Sequence, residues 1–244
     1  MKTAVITGCN RGVGLTLLKR FTGEGYNVIA HARRYSDEWH NQCRDLEKKN
    51  NVTIYNVYFD LEEKEEIKKG IQAIADLNIP IDVLVNNAGI LVNKPLLFVT
   101  FEDLEKSFMI NYFSLVMITR GIASLMIRQS FGNIINISSC MAGGHQPGGT
   151  CYDASKAAVN QFTRSIAQEL APFNIRVNSV AGGVINTEMF ANLNEKARKN
   201  MLKSTALKRP AETDEIANAV LFLASDNASF VTGSVFNVEG GAII

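Results

Sequence analysis

Thr3-Ala-Val-Ile-Thr-Gly-Cys-Asn-Arg-Gly-Val-Gly14 decides the fold of this chain. Its first five residues are apolar and rich in branched side chains, the composition of a buried strand. Glycines at 8, 12 and 14 allow a tight turn, and Leu15-Thr-Leu-Leu-Lys-Arg-Phe21 continues with helical character until Gly23 and Gly25. A strand, a glycine-rich turn and a helix in that order can bind phosphate. Glycine lets the backbone approach the anion, and the first helical N–H groups point at it. The spacing is Thr-Gly-x3-Gly-x-Gly, with Asn10 where the Gly-x-Gly-x-x-Gly dinucleotide fingerprint has its second glycine. Taken alone the turn also fits a plain β–α connection, so its neighbours must decide.

Outward from it, the same alternation repeats. Asn27 to His31 reads as a second strand, followed by a polar helix near 36–50; Val52 to Tyr58 is a third, followed by a charged helix over 62–77. Ile81 to Val85 is a fourth, running into Asn86-Asn-Ala-Gly89. A long helix over about 101–130 carries Asn111 in an apolar stretch. Further strands are expected at 134–139, 175–180 and 234–238, with helices from about 152 to 172 and over 213–224. Continuous apolar strands alternating with helices predict an α/β fold: one doubly wound Rossmann-type domain over 1–244, with about seven parallel strands and helices on both faces. Ligands of such sheets lie outside the carboxyl ends of the strands.

The second strand ends in Ala32-Arg33-Arg34, where a dinucleotide site that takes a plain ribose carries an acidic residue. Arginine suits a 2′-phosphate, so this end favours NADP(H) over NAD(H); a solvated surface pair is the competing reading.

At the other end of the chain, Ile134-Ile-Asn-Ile-Ser-Ser-Cys140 reads as a buried strand ending in small polar residues. After a glycine-rich loop comes Cys151-Tyr-Asp-Ala-Ser-Lys-Ala-Ala158, where Tyr152 and Lys156 share a helix face. A fixed ammonium beside a phenol is expected to pull its pKa down toward neutrality, where a general acid works best. With six Tyr and fourteen Lys in 244 residues, a Tyr-x3-Lys arises by chance roughly one time in three. The pair therefore carries weight only with its context.

Composition bounds the answer. A 46% hydrophobic and 20% charged chain is expected to be soluble and globular, and a net charge of +1 gives no reason to expect nucleic acid or an anionic membrane as partner. No apolar run approaches the ~18 residues needed to span a bilayer. The four cysteines have no metal-ligand spacing and read as reduced thiols in a cytoplasmic protein; no metal is expected.

In order along the chain stand Thr7-Gly-x3-Gly-x-Gly14, Asp60, Asn86-Asn-Ala-Gly89, Asn111, Ser139, Tyr152-x3-Lys156, Asn178 and the stretch from Gly183 to Thr187. This order resembles the short-chain dehydrogenase/reductase family over essentially the whole chain. Phe222-Leu-Ala-Ser-Asp226 and Val231-Thr-Gly-Ser-Val235 look most like its 3-oxoacyl-acyl-carrier-protein reductases.

The resemblance implies roles. Tyr152 would be the general acid for ketone reduction, Lys156 would tune it and bind the nicotinamide ribose, Ser139 would hold the carbonyl oxygen, and Asn111 a water. Gly8, Asn10, Arg11, Gly12, Val13 and Gly14 would line the pyrophosphate and ribose. Asp60 and Leu61 would meet the adenine, with Asn87, Ala88 and Gly89 on the adenosine side. Gly183, Val184 and Thr187 would meet the nicotinamide end, and Arg11 and Arg33 sit where NADP-preferring members are basic. Residues 188–208 would form a substrate lid with Met189 and Phe190, facing Met141, His145 and Gln146.

The implied activity is NADP(H)-dependent reduction of a ketone, with 3-oxoacyl thioesters as leading substrates. Reduction of a sugar, polyol or other small ketone, and a non-catalytic cofactor-binding protein, stay open. Members commonly form homotetramers through their two long helices and last strand. Two departures stand out. Gly182 replaces the usual Pro before Gly183, so a looser loop is expected, and Phe173 replaces a basic residue expected for carrier-protein binding, although Arg128 fits.

Overall fold

The computed structural model describes residues 1–144, 147–192 and 195–242. Each expected apolar run is a strand: β1 (Thr3–Ile6), β2 (Asn27–Ala32), β3 (Ile54–Tyr58), β4 (Val83–Asn86), β5 (Gly132–Ser139), β6 (Ile175–Gly182) and β7 (Val235–Val238). They form one parallel sheet in the order β3-β2-β1-β4-β5-β6-β7. The strand order reverses between β1 and β4, which opens a crevice at their carboxyl ends.

Strand side chains alternate between faces, so each buried strand feeds two cores. Ala4, Ile6, Val83, Val85, Ile135 and Ile137 pack with α1 (Gly12–Gly23) and α9 (Thr213–Ala224). Val5, Leu84 and Ile134 pack on the other side with α3 (Lys64–Asp76), α5 (Ser114–Gln129) and α6 (Thr150–Leu170). The remaining helices are α2 (Asp37–Asn50), α4 (Phe101–Phe108), α7 (Glu188–Ala191) and α8 (Glu195–Lys203).

The long helix differs from expectation in one respect. A π turn, Met109–Phe113, interrupts it between α4 and α5, and Asn111 lies in that turn. Such turns are frequent at functional sites. The combined run Phe101–Gln129 is also long and apolar enough, by length and composition, to cross a bilayer. That corrects the expectation that nothing in the chain approaches a span. Half of its apolar window is buried inside the fold, and Ser114 and Thr119 are buried in it.

Gly182 and Gly183 do not loosen their loop. Gly182 pairs with Ser139 and Val238 as the last residue of β6. The Gly183 N–H donates to Val238 O at 3.0 Å, and a Cβ at 183 would lie 2.8 Å from the Glu239 Cα. Close backbone packing does what the missing proline ring would have done. The stretch beyond is pinned at both ends. Ala211 N donates to Val184 O and Asn186 N to Ala211 O, while Ala206 N and Leu207 N donate to Gly241 O and Gly240 O. Residues 205–207, expected to belong to the lid, are thus tied to the C-terminal segment.

Candidate active site

The glycine turn sits at the carboxyl end of β1, with Gly8 at φ 69° and Gly12 at φ 53°, both in the left-handed region. Thr7 Oγ1 accepts from the N–H groups of Asn87 and Ala88 at 2.9 and 3.0 Å. The Asn87 amide donates back to Thr7 O and Gly8 O at 2.9 and 3.1 Å. Asn87 therefore shapes the turn with its side chain, whatever its backbone presents to a ligand. A Cβ at Gly14 would sit 1.9 Å from Gly8 O, so α1 can start here only with glycine. Arg11, the N-cap, makes no side-chain cap bond, which leaves the leading N–H groups of α1 for an anion. Thr187 lies over the turn, its Cγ2 3.6 Å from a Cβ placed on Gly12. Arg11, Gly12, Val13 and Gly14 thus open α1 at the carboxyl end of β1, with Thr187 beside them.

Across the sheet, Arg33 Nε donates to Asp60 Oδ2 at 2.8 Å, while Arg34 bridges Asp60 and Glu66 at 3.4 and 2.9 Å. Burial alone would raise the Asp60 carboxyl. The Glu62 N–H and the two guanidiniums outweigh that and hold it below its ordinary value. The basic pair is therefore anchored, and still two-thirds exposed at Arg33. Leu61 is buried beside Asp60.

Ser139 ends β5 and accepts from Met141 N at 3.1 Å, which opens a short 3₁₀ turn over 140–142. Tyr152 and Lys156 lie one helical turn apart on α6, with Nζ 5.8 Å from the phenol ring centre. Lys156 is buried and donates to Ile137 O at 2.8 Å, and Gly89 gives it room: a Cβ there would come within 3.4 Å of Nζ. Asn111 Oδ1 accepts from Ile90 N at 2.8 Å, and its amide donates to Ile90 O and Ser155 Oγ, both at 3.0 Å. Ser155 in turn donates to Tyr152 O at 2.7 Å. The π turn thus ties the loop after β4 to the helix that carries the reactive pair.

The expected direction of the phenol's pKa is overturned. Burial raises Tyr152 to about 12, against the pull of its hydrogen bond with Ser139. Burial lowers Lys156 to about 8. Desolvation of both groups is the larger effect here and outweighs the attraction between their charges. At neutral pH the phenol holds its proton and the lysine its charge.

Of the residues expected to face substrate, Met141 and Phe190 are half-buried, on the turn after Ser139 and on α7. Met189 lies on α7 too; His145 and Gln146 lie outside the described residues. Among the described residues no group of His, Cys, Asp and Glu could hold a metal. Sequence reasoning missed Glu66, which also accepts from Asp60 N at 2.7 Å, and His31. The one available signal was a histidine inside an otherwise apolar strand.

A parallel sheet whose strand ends gather a glycine turn, an arginine pair and a Ser, Tyr and Lys set defines an oxidoreductase that uses a nicotinamide cofactor on alcohols and carbonyls. The chain belongs to the short-chain dehydrogenase/reductase family. Residues 8–242 match the family model described as enoyl-(acyl carrier protein) reductase. A 3-oxoacyl-[acyl-carrier-protein] reductase of Thermotoga maritima is 37% identical over 100% of this chain and 98% of its own length. A 3alpha-hydroxysteroid dehydrogenase of Mediterraneibacter gnavus is 36% identical over 99% of this chain and 96% of its own. The crystal structure of a 3-oxoacyl-[acyl-carrier protein] reductase from Brucella melitensis superposes with a TM-score of 0.92 at 27% identity, covering 100% of this chain and 91% of that one.

Proposed function

We propose that this chain is an NADP(H)-dependent reductase that converts a ketone to a secondary alcohol, with 3-oxoacyl thioesters as its substrate class. The observation that carries the reading is the half-buried Tyr152 beside the buried Lys156 and Ser139, with the phenol kept protonated. The bound nicotinamide supplies the hydride to the carbonyl carbon. Tyr152 gives its proton to the carbonyl oxygen, so the ketone gains one hydride and one proton. Lys156, charged below about 8, favours the phenolate left behind. Ser139 donates its hydroxyl to the oxygen as charge develops there. Asn111 and Ser155 keep α6 in register with the loop after β4. The turn from Gly8 to Gly14 takes the pyrophosphate, Asp60, Leu61, Ala88 and Gly89 the adenosine, and Gly183, Val184 and Thr187 the nicotinamide end.

Thioester reduction is supported by relatives named for it. The hydroxysteroid relative, and a cyclopentanol dehydrogenase of Comamonas testosteroni 36% identical over 98% of this chain and 96% of its own length, favour a second reading, a compact cyclic ketone. NADPH consumption against acetoacetyl thioesters, keto-sugars, a 3-ketosteroid and cyclopentanone separates the two. Preference for the thioester by kcat/KM supports the first, and its refusal beside turnover of a cyclic ketone overturns it.

Arg33 and Arg34 support the 2′-phosphate reading, since Asp60 and Glu66 hold them where an acceptor for a plain ribose is missing. Arg33→Asp is expected to shift the kcat/KM ratio toward NAD(H) by ~10-fold or more, because one charge-assisted bond is lost and like charge faces the phosphate. An unchanged ratio would make Arg33 a surface residue.

The chain is further proposed to form a homotetramer. Phe113 on the long helix is 49% exposed amid Phe108, Tyr112 and Phe162, and Phe222 and Phe236 lie uncovered near β7. Two such apolar faces on one chain suit two two-fold contacts. Light scattering at micromolar concentration should give four times the chain mass; a monomer mass would refute it. Arg128 and the half-exposed Phe173 leave a carrier protein a weaker basic surface than a pair of arginines.

A further inference from the structure

His31 is buried at 2% exposure in β2, directly beneath the glycine turn. Its ring Nδ1 lies 3.1 Å from Gly8 N and its Nε2 2.9 Å from Phe59 O. An amide N–H can only donate and a carbonyl can only accept, so the two partners fix the ring as neutral with its proton on Nε2. The residue holds the turn a second time through its backbone, since Cys9 N donates to His31 O at 2.9 Å. Its ring also rests on Phe59, 4.1 Å between centres. One side chain therefore ties the turn after β1 to the end of β3, just before Asp60.

We propose that His31 is a positioning residue for the dinucleotide: its neutral imidazole holds Gly8 N–H and so fixes the turn, and a proton on Nδ1 releases both turn and cofactor. This rests on the reading of Gly8–Gly14 as the pyrophosphate site. A proton on Nδ1 sets donor against donor at Gly8 and buries a charge, each of which opposes the closed turn. The groups facing the ring do not rescue it. Cys9 and Cys43 pack in the core on the opposite face of the sheet from Ile29 and Phe59, and burial raises both thiols, Cys43 to about 12, so neither supplies an anion. Among the described residues Asp60 is the carboxylate that acts on the ring, and Arg33 and Arg34 already pair with it. Burial lowers the histidine's pKa in spite of Phe59 O and Asp60. The sign follows: the Gly8 bond is complete above the ordinary histidine value of ~6.5 and is lost as pH falls through the lowered one.

The test is NADP⁺ affinity of the full chain between pH 7.5 and 5, for the wild type and His31→Asn, with circular dichroism at each pH. Asparagine can offer Oδ1 to Gly8 N–H but does not titrate. The wild-type Kd should rise ~10-fold while the protein stays folded, and His31→Asn should remove most of that rise. Titration of the 2′-phosphate is common to both proteins and cancels. Superimposable profiles, or a wild-type Kd that stays flat, would overturn the role of His31. Absence of saturable binding at any pH would instead overturn the site reading, and the inference with it. Should the variant fail to fold, ¹⁵N spectra of the wild-type histidines decide. Saturating NADP⁺ must lower the His31 titration by the reciprocity of linkage, with Nδ1 unprotonated at pH 7. A titration unmoved by NADP⁺ refutes the proposal.

Discussion

Tyr152→Phe is expected to reduce ketone turnover at least ~100-fold while leaving NADPH affinity within about two-fold of wild type. The substitution removes one oxygen and keeps the ring that lies beside Lys156. The neighbouring groups have other partners: Ser139 Oγ accepts from Met141 N, and Lys156 Nζ donates to Ile137 O. The wild-type rate should hold steady up to about pH 8 and decline above it. Lys156 carries its charge below that value and loses it beyond, and a neutral amine no longer favours the phenolate. Tyr152, at about 12, remains a proton donor throughout. Single-turnover kinetics read the effect directly. Turnover of Tyr152→Phe within a few-fold of wild type would refute the assignment of the acid.

Gly14→Ala should abolish measurable dinucleotide binding, with a loss of at least ~100-fold, and destabilise the fold by about 1–3 kcal/mol. The added carbon would meet Gly8 O at 1.9 Å, Gly8 C at 2.8 Å and Asn87 Nδ2 at 2.6 Å. The first two are backbone atoms, and they cannot rotate away as a side chain would. Relief requires opening the turn that Thr7 and Asn87 close. Gly23→Ala in the same helix is the control. Nothing lies within 4 Å of a Cβ there, and alanine should stabilise by about 0.4–1 kcal/mol through the unfolded chain. Thermal melts and fluorescence titration with NADPH distinguish the two. Equal affinity in Gly14→Ala would mean that the turn does not touch the cofactor.

The fold was legible because parallel strands buried on both faces are continuous apolar runs, and β1, β4 and β5 announce themselves in that way. Tyr152 and Lys156 share a helix face as their spacing predicts, but their grouping with Ser139 came from the family resemblance and not from spacing alone. What local pattern could not show was register. His31 meets Gly8 and Phe59 only because β2 lies between β1 and β3 with His31 opposite Val57. Arg33 reaches Asp60 for the same reason. The π turn at Asn111 leaves no mark in an apolar helical stretch. The phenol's pKa was misjudged because burial, the dominant influence, is a property of the packed molecule.

The two pairs of backbone bonds that flank the segment after β6 have a consequence for how the enzyme's repertoire could be exchanged. Ala211 staples Val184 and Asn186, and Gly240 and Gly241 staple Leu207 and Ala206, through backbone bonds, and the Asn186 amide adds a bond to the Glu212 carboxylate. The second fastening needs its glycines, since Gly240 and Gly241 are at φ 62° and 67° and a Cβ on either would come within 2.9 Å of Thr205 or Ala206. On the proposed reading, a graft inserted after Thr187 and before Thr205 from a relative with another substrate would change what enters the crevice while the sheet, the glycine turn and the Tyr152 helix stay as they are.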